Sequence, residues 1–236
     1  MIRLVTYNIK HGGLKGLEAI ADVVAPLSAD LVALQEVDVG VGRSRGVDQA
    51  AALGALLGMH AIHGPAFPLE GGHYGVALLS RFPVASRQVI PLPSVSVARS
   101  DGLEPRIALD ARLDLPAGAL GAAGPFHLVV THFGLDPAER LRQAEALVGH
   151  VAYRPRTVVA GDLNEGPDGA GFRLLAASLV DGLAEAGLHE RRTFPSWAPA
   201  LAIDHVLRSR DLPAAGAARR VLADASDHLP VVVELG

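Results

Sequence analysis

The stretch TVVAGDLNEG is an apolar strand-like run that ends in an acid and an amide, Asp162 and Asn164, two residues apart and therefore on one face of a strand. Taken alone, the pair would pass for a turn cap after a strand. Three more apolar runs carry polar groups at the same place: IRLVTYN ends at Asn8, LVALQEV carries Glu36 and FHLVVTH ends at His132. Late in the chain, AIDHVL puts Asp204 inside a strand-like run, and ASDHLPVVVEL puts Asp227 and His228 just before the last one.

These residue types imply metal-assisted acid–base chemistry. An unpaired carboxylate at Glu36, inside an apolar run, would cost several kcal/mol. No Lys or Arg lies in its own strand, so a cation must come from elsewhere. A hard divalent ion, Mg2+ or Mn2+, held by one or two carboxylates, water and a substrate phosphate would satisfy it. A carboxylate bonded to a histidine fixes the tautomer and favours the imidazolium, a cationic phosphate donor. Asp204 and His228 are the expected pair.

The elements that must position these groups follow from hydrophobic period. GLKGLEAIADVVAPLSAD has helical spacing between the first two runs. GLDPAERLRQAEALVGHVAYRP lies between the other two, with Asp136 as its cap and Pro137 at its first helical position. The order strand, Gly-Leu loop, helix, strand therefore occurs twice, which indicates an internal duplication. Ligands sit outside the carboxyl ends of strands in open α/β sheets. Further strands are expected in YGVALLSR, PVASRQVIPL, PRIALDARLDL, LAIDHVLRS and HLPVVVEL, and further helices in DQAAALGALLG and AGFRLLAAS. Residues 91–105 and 116–125 are expected as loops, the first of them selecting substrate. The pattern predicts two packed mixed β-sheets with helices outside, an α/β sandwich.

Composition narrows the class. Of 236 residues 50% are hydrophobic, there is no cysteine, and the formal net charge is −4. One domain over residues 1–236 is expected, monomeric and cytoplasmic, without a transmembrane segment. The absence of cysteine excludes thiolate nucleophiles and Cys-ligated metals. Lys10 and Lys15 are the only lysines, and the negative balance argues against a general DNA binder.

In this order, TYNI, LQEV, YGVALLSR, EPR, TH, GDLN, IDHV and SDHLPV resemble the endonuclease/exonuclease/phosphatase (DNase I-like) superfamily of metal-dependent phosphoesterases. The resemblance implies a four-layer α/β sandwich and a phosphoester substrate: a small molecule, a lipid headgroup or a nucleic acid. It also implies roles. Glu36 would be the principal ligand of Mg2+ or Mn2+ with Asn8 beside it, and Asp227 would support the metal side or the leaving group. Asp162 would orient or deprotonate the attacking water and Asn164 would hold that water or a phosphate oxygen. His132 and His228 would donate to the phosphate, with Asp204 orienting His228. His73 or Tyr74 would contact the substrate, with Arg106 and Arg43 as further candidates. Glu70 is, by position, the candidate carboxylate partner of His132. The activity expected is phosphodiester hydrolysis, with a DNA or RNA nuclease or a small-molecule phosphomonoesterase as alternatives and a catalytically silent binding relative as the least expected.

Other polar residues have plainer expectations. His11, His60, His63, His127, His150 and His189 are expected at the surface or in packing, and His205, next to Asp204, on the opposite face. Arg140 and Gln143, three apart on one helix face, are expected to tie the helix to the adjacent loop. EGGHYG leads into a strand and so offers no helix N-terminus to a phosphate.

Overall fold

The computed structural model describes residues 1–94, 104–121 and 124–236. Among them the strands are β1 (Ile2–Asn8), β2 (Leu31–Val39), β3 (His60–Leu69), β4 (Gly72–Ser80), β5 (Val84–Leu92), β6 (Arg106–Leu113), β7 (Phe126–His132), β8 (Thr157–Asp162), β9 (Val180–Asp181), β10 (Asp204–Arg208), β11 (Ala215–Arg220) and β12 (Val231–Leu235). The α-helices are α1 (Leu17–Val24), α2 (Gln49–Leu57), α3 (Pro137–Val151), α4 (Ala170–Ser178) and the short α5 (Gly182–Glu185).

Two six-stranded sheets have the orders β11-β12-β1-β2-β4-β3 and β5-β6-β7-β8-β10-β9. Their centres match. β1 and β2 are parallel, as are β7 and β8, and each parallel pair is flanked by antiparallel strands, β12 and β4 in one sheet, β6 and β10 in the other. The crossover helices α1 and α3 close these parallel pairs, as the duplicated pattern predicts. Asp136 caps α3 by accepting from the Ala138 and Glu139 N–H groups, and Asp48 caps α2 through the Ala51 N–H.

Alternation in the strands sorts the core into layers. Leu4, Leu31, Ala33 and Leu78 meet Leu109, Leu128, Val130, Val158 and Ala160 between the sheets. On the outer face of the first sheet, Val5, Tyr7, Val32 and Leu34 pack on Ile20 and Val24 of α1 and Leu53 of α2. Val129 and Val159 on the outer face of the second pack on Ala144 and Leu147 of α3 and Phe172 and Leu175 of α4. The architecture is therefore helix, sheet, sheet, helix. No helix of the described residues is long and apolar enough to cross a membrane.

Edge strands depart from the sequence expectation. β3 contains Gly64, Pro65 and Pro68, and β11 is AGAARR, so neither has a strand-like composition. Both lie at sheet edges, where missing donors and absent side chains are tolerated. Residues 95–103 of the expected loop at 91–105, and 122–123 of that at 116–125, lie outside the described residues.

Candidate active site

The inter-sheet core turns polar at one end. Leu4, Thr6 and Asn8 form the inward row of β1; Leu128, Val130 and His132 that of β7; Val158, Ala160 and Asp162 that of β8. Strand register then aligns the polar ends, pairing His132 with Asp162 and Asp162 with Asp204. β12 runs antiparallel to β1, with Thr6 opposite Val231, so the residues preceding β12 arrive beside the end of β1. The Ser226 hydroxyl fixes them there by donating to the Asn8 carbonyl at 2.7 Å.

Two backbone features make this convergence possible. Between Gln35 and Val37 the pairing of β2 with β4 shifts, and Glu36 is the inserted residue, at φ 58°. Val37 packs again with Leu34 on the outer side, so the bulge brings Glu36 toward the inner face that simple alternation would deny it. A positive φ at glutamate costs on the order of 1–3 kcal/mol, held in place by the surrounding sheet. In β8, Gly161 has φ 153°, and a Cβ there would lie 1.9 Å from the Thr131 carbonyl oxygen. Only glycine lets β8 approach β7 closely enough to set Asp162 beside His132.

Asp162 is the hub. Its Oδ1 accepts from the Asn164 N–H at 2.8 Å, and its Oδ2 accepts from Asn8 Nδ2 at 3.1 Å. The Nε2 atoms of His132 and His228 both stand 3.6 Å from that same Oδ2. Asn8 Nδ2 also donates to Glu36 Oε1 at 3.0 Å, tying the two carboxylates together. His228 Nδ1 lies 2.9 Å from Asp204 Oδ2, the expected pair, and the Thr193 hydroxyl donates to the same oxygen at 2.5 Å.

Electrostatics separate the two histidines. Burial alone would depress His228, but the charge and hydrogen bond of Asp204, then Asp162, raise it to about 10. His132 is held well below the ordinary histidine range by burial, then by the charge of Arg106 and of His228. Burial and the neighbouring Asp204 push Asp162 up to about 7, against the opposing pull of His228, the Asn164 N–H and Asn8. The site therefore holds one cationic imidazole, one neutral imidazole and a carboxylate poised near neutrality.

These groups face a cavity of 720 Å³ whose polar wall includes Glu36, Arg43, Tyr74, Arg106, Asp162, Asn164, Asp227 and His228. Its apolar wall is Phe67, Leu69, Leu135, Phe194, Leu201 and Ile203. Of His73 and Tyr74, alternation in β4 turns only the tyrosine to the cavity. His73 is exposed and lies by a separate depression with His63 and Arg87, outside this cavity. Glu70 is no partner of His132; it accepts from the Arg43 N–H at 2.7 Å. Instead, Arg106 Nη1 lies 3.1 Å from His132 Nδ1. Asn8 differs from the expected ligand oxygen, because Oδ1 accepts from the Lys10 N–H and the amide nitrogen faces the carboxylates. Asp227 lines the cavity but is paired with Lys10 Nζ at 2.6 Å.

The remaining polar residues are placed as follows. Arg43 grips Asp38 through two 2.9 Å bonds. Arg140 reaches Glu165 and the Leu135 carbonyl, and Gln143 accepts from the Gly134 N–H, the loop tie expected of both. His205 is buried, with Nε2 2.8 Å from the Glu165 carbonyl oxygen. His127 and His150 clasp Asp110 together with Arg154, away from the cavity. Sequence reasoning missed Thr193, which has no motif around it, and Lys10, which directly follows TYNI and is one of only two lysines.

With the geometry in place, comparison with known proteins is decisive at family level. The model of the Endonuclease/Exonuclease/phosphatase family matches residues 5–228. The chain belongs to this family. Its members are phosphoester hydrolases. Among solved structures, an endonuclease/exonuclease/phosphatase from Beutenbergia cavernae DSM 12333 is 25% identical with a TM-score of 0.77, covering 100% of this chain and 72% of that one. A mannosyl-6-phosphatase from Bacteroides thetaiotaomicron VPI-5482 is 17% identical with a TM-score of 0.76, covering 100% of each chain. The human nocturnin catalytic domain with a bound sulfate anion is 20% identical with a TM-score of 0.72, covering 100% of this chain and 93% of that one. No curated protein matches the chain. Within the family frame, Asp162, Asp204 and His228 also form a group whose ligand atoms lie within 4.8 Å of one another and could hold a metal ion.

Proposed function

We propose that this chain is a divalent-metal-dependent phosphodiesterase in which Asp162 activates water for in-line attack on phosphorus. The observation that carries this reading is the convergence on Asp162 Oδ2 of Asn8, His132 and His228, with Glu36 joined through the same Asn8 amide. Asp162 orients the water and accepts its proton, a task suited to a carboxylate raised toward neutrality. Cationic His228, aligned by Asp204, and neutral His132 donate to phosphate oxygens as charge develops there. Asn164, held by the Phe133 carbonyl at 2.8 Å, steadies the water or a phosphate oxygen.

The donor set fits a hard cation at Glu36. That carboxylate faces the cavity with an amide as its hydrogen-bond partner and no lysine or arginine pairing among the described residues. Glu36 would hold Mg2+ or Mn2+ with water and substrate oxygens, and the ion would neutralise phosphate charge and polarise the scissile ester. The Asp162–Asp204–His228 group is the poorer seat, because the imidazolium that Asp204 Oδ2 holds at His228 repels a cation, even though Asp204 Oδ1 has no hydrogen-bond partner among the described residues.

Each cavity arginine already engages a carboxylate: Arg43 with Asp38, Arg106 with Glu104, Arg140 with Glu165. This favours a substrate presenting one phosphate over a long polyanion, and so a diesterase over the nuclease reading. Hydrolysis of bis-p-nitrophenyl phosphate, p-nitrophenyl phosphate and supercoiled plasmid, with Mg2+, Mn2+ or EDTA, tests it on wild type and Asp162→Asn. Metal-dependent release from the diester, absent in the variant, is expected. Full activity in excess EDTA, or an isolable phospho-enzyme, would overturn the mechanism.

A further inference from the structure

His132 is enclosed by donors on both ring nitrogens. Arg106 Nη1 lies 3.1 Å from Nδ1, and Asn164 Nδ2 lies 3.1 Å from Nε2. A neutral imidazole has one lone pair to give and one N–H to place, so it cannot accept both. Arginine donates under every condition the protein meets, whereas Asn164 Nδ2 keeps its bond to the Phe133 carbonyl at 2.8 Å and can give up the contact with Nε2. The bond from a charged donor is also roughly twice as strong as one between neutral groups. Arg106 therefore takes the lone pair.

We propose that Arg106 is the positioning residue of His132, holding the ring in the tautomer that bears its proton on Nε2 and aims it at the phosphate. This rests on the phosphoesterase reading above. Arg106 is built for the task. It is 4% exposed, ion-paired with Glu104 at 3.1 Å, and flanked by the hydroxyl of buried Tyr74. Its position is set before any substrate arrives. The two histidines then reach the same geometry by opposite means: a carboxylate behind His228 makes it a cationic donor, and a guanidinium behind His132 makes it a neutral one.

Long-range proton–nitrogen spectra of 15N-labelled wild type, with His132 assigned by its loss in His132→Gln, read the tautomer directly. A bare Nδ1 and a protonated Nε2 are expected. The opposite tautomer, which Asn164 would select, overturns the proposal. In Arg106→Met the single tautomer should be lost and kcat should fall by ~10–100-fold with KM little changed, the usual scale for losing an orienting partner. Arg106→Lys should restore both in large part. A raised KM at unchanged kcat would make Arg106 a direct substrate contact instead, and an unchanged tautomer in Arg106→Met would remove it from this role. If Arg106→Met does not fold, the wild-type and Arg106→Lys spectra decide. Because the spectra need no turnover, they test Arg106 even if the phosphoesterase reading fails.

Discussion

His132 and His228 approach one oxygen from two strand ends, each with Nε2 3.6 Å from Asp162 Oδ2. One comes from the parallel pair of the second sheet and the other from the segment entering β12 of the first. The site is thus assembled across the sandwich, where the polar ends of both sheets meet. That is why the oxygen between them sees one charged and one neutral ring. Replacing Asp162 with Asn keeps the shape of the hub but removes the proposed proton acceptor. Turnover should fall by ~10²–10⁴-fold, the usual contribution of a positioned general base, with the far-ultraviolet circular dichroism unchanged.

The pairing of His228 with Asp204 sets an alkaline limb. In the proposed reaction His228 acts as a cation, and its pKa, raised to about 10 by Asp204, keeps it charged through neutral pH. Activity should therefore hold as pH rises past the ordinary histidine value of 6.5 and decline only toward about 10. In Asp204→Asn the principal raising influence is gone, so the limb in the pH profile of kcat/KM should move down toward neutrality. A limb that stays in place would dissociate His228 from the chemistry.

Glu36 carries the metal prediction. In Glu36→Gln the charge that demands a cation is removed while the bulge is retained. Calorimetric titration with Mn2+ should show binding to wild type and its loss or marked weakening in the variant. Activity removed by EDTA should return on adding Mg2+ or Mn2+ to wild type only. Binding unimpaired in Glu36→Gln would move the ion to the Asp162, Asp204 and His228 group.

Close approach of the two central strands in the second sheet depends on Gly161. With a Cβ 1.9 Å from the Thr131 carbonyl, Gly161→Ala must part β7 from β8 or break their pairing. The variant should lose more than ~3 kcal/mol in denaturant unfolding, in the severe range for one substitution. A loss within the ordinary surface range would show that the strands can spread without cost.

The sequence made the site's members legible because each closes an apolar run, where a polar group has few structural reasons to be. Asn8, His132 and Asp162 continue inward rows of core residues, so period alone placed them on one side. The same alternation turns Tyr74 and not His73 to the cavity, once β4 has a defined inner face. Glu36 defies alternation, and nothing in LQEV announces the bulge that redirects it. Arg106 was visible as a cation near the site, but its partner was not, because a strand-to-strand neighbour leaves no local signal. Edge strands β3 and β11 were hidden for a similar reason: pairing with β4 and β12 holds them in place of their own composition.

Stability toward acid should depend on His205. The ring is buried with Nε2 beside the Glu165 carbonyl oxygen, and burial lowers its pKa from 6.5 to about 4 despite that bond. The unfolded chain therefore binds a proton at a pH where the folded chain does not. The contribution to stability is present above 6.5 and is lost as pH falls from there through about 4. Complete loss would amount to about 3 kcal/mol, because a tenfold change in proton affinity between the folded and unfolded chains corresponds to ~1.4 kcal/mol. Urea midpoints measured from neutral to acidic pH should fall more steeply for wild type than for His205→Gln, whose amide can still donate to the Glu165 carbonyl but cannot titrate. Parallel slopes would mean that other buried groups carry the acid sensitivity, with Asp162 excluded by its opposite sign, because a carboxyl raised on folding stabilises the protein as pH falls.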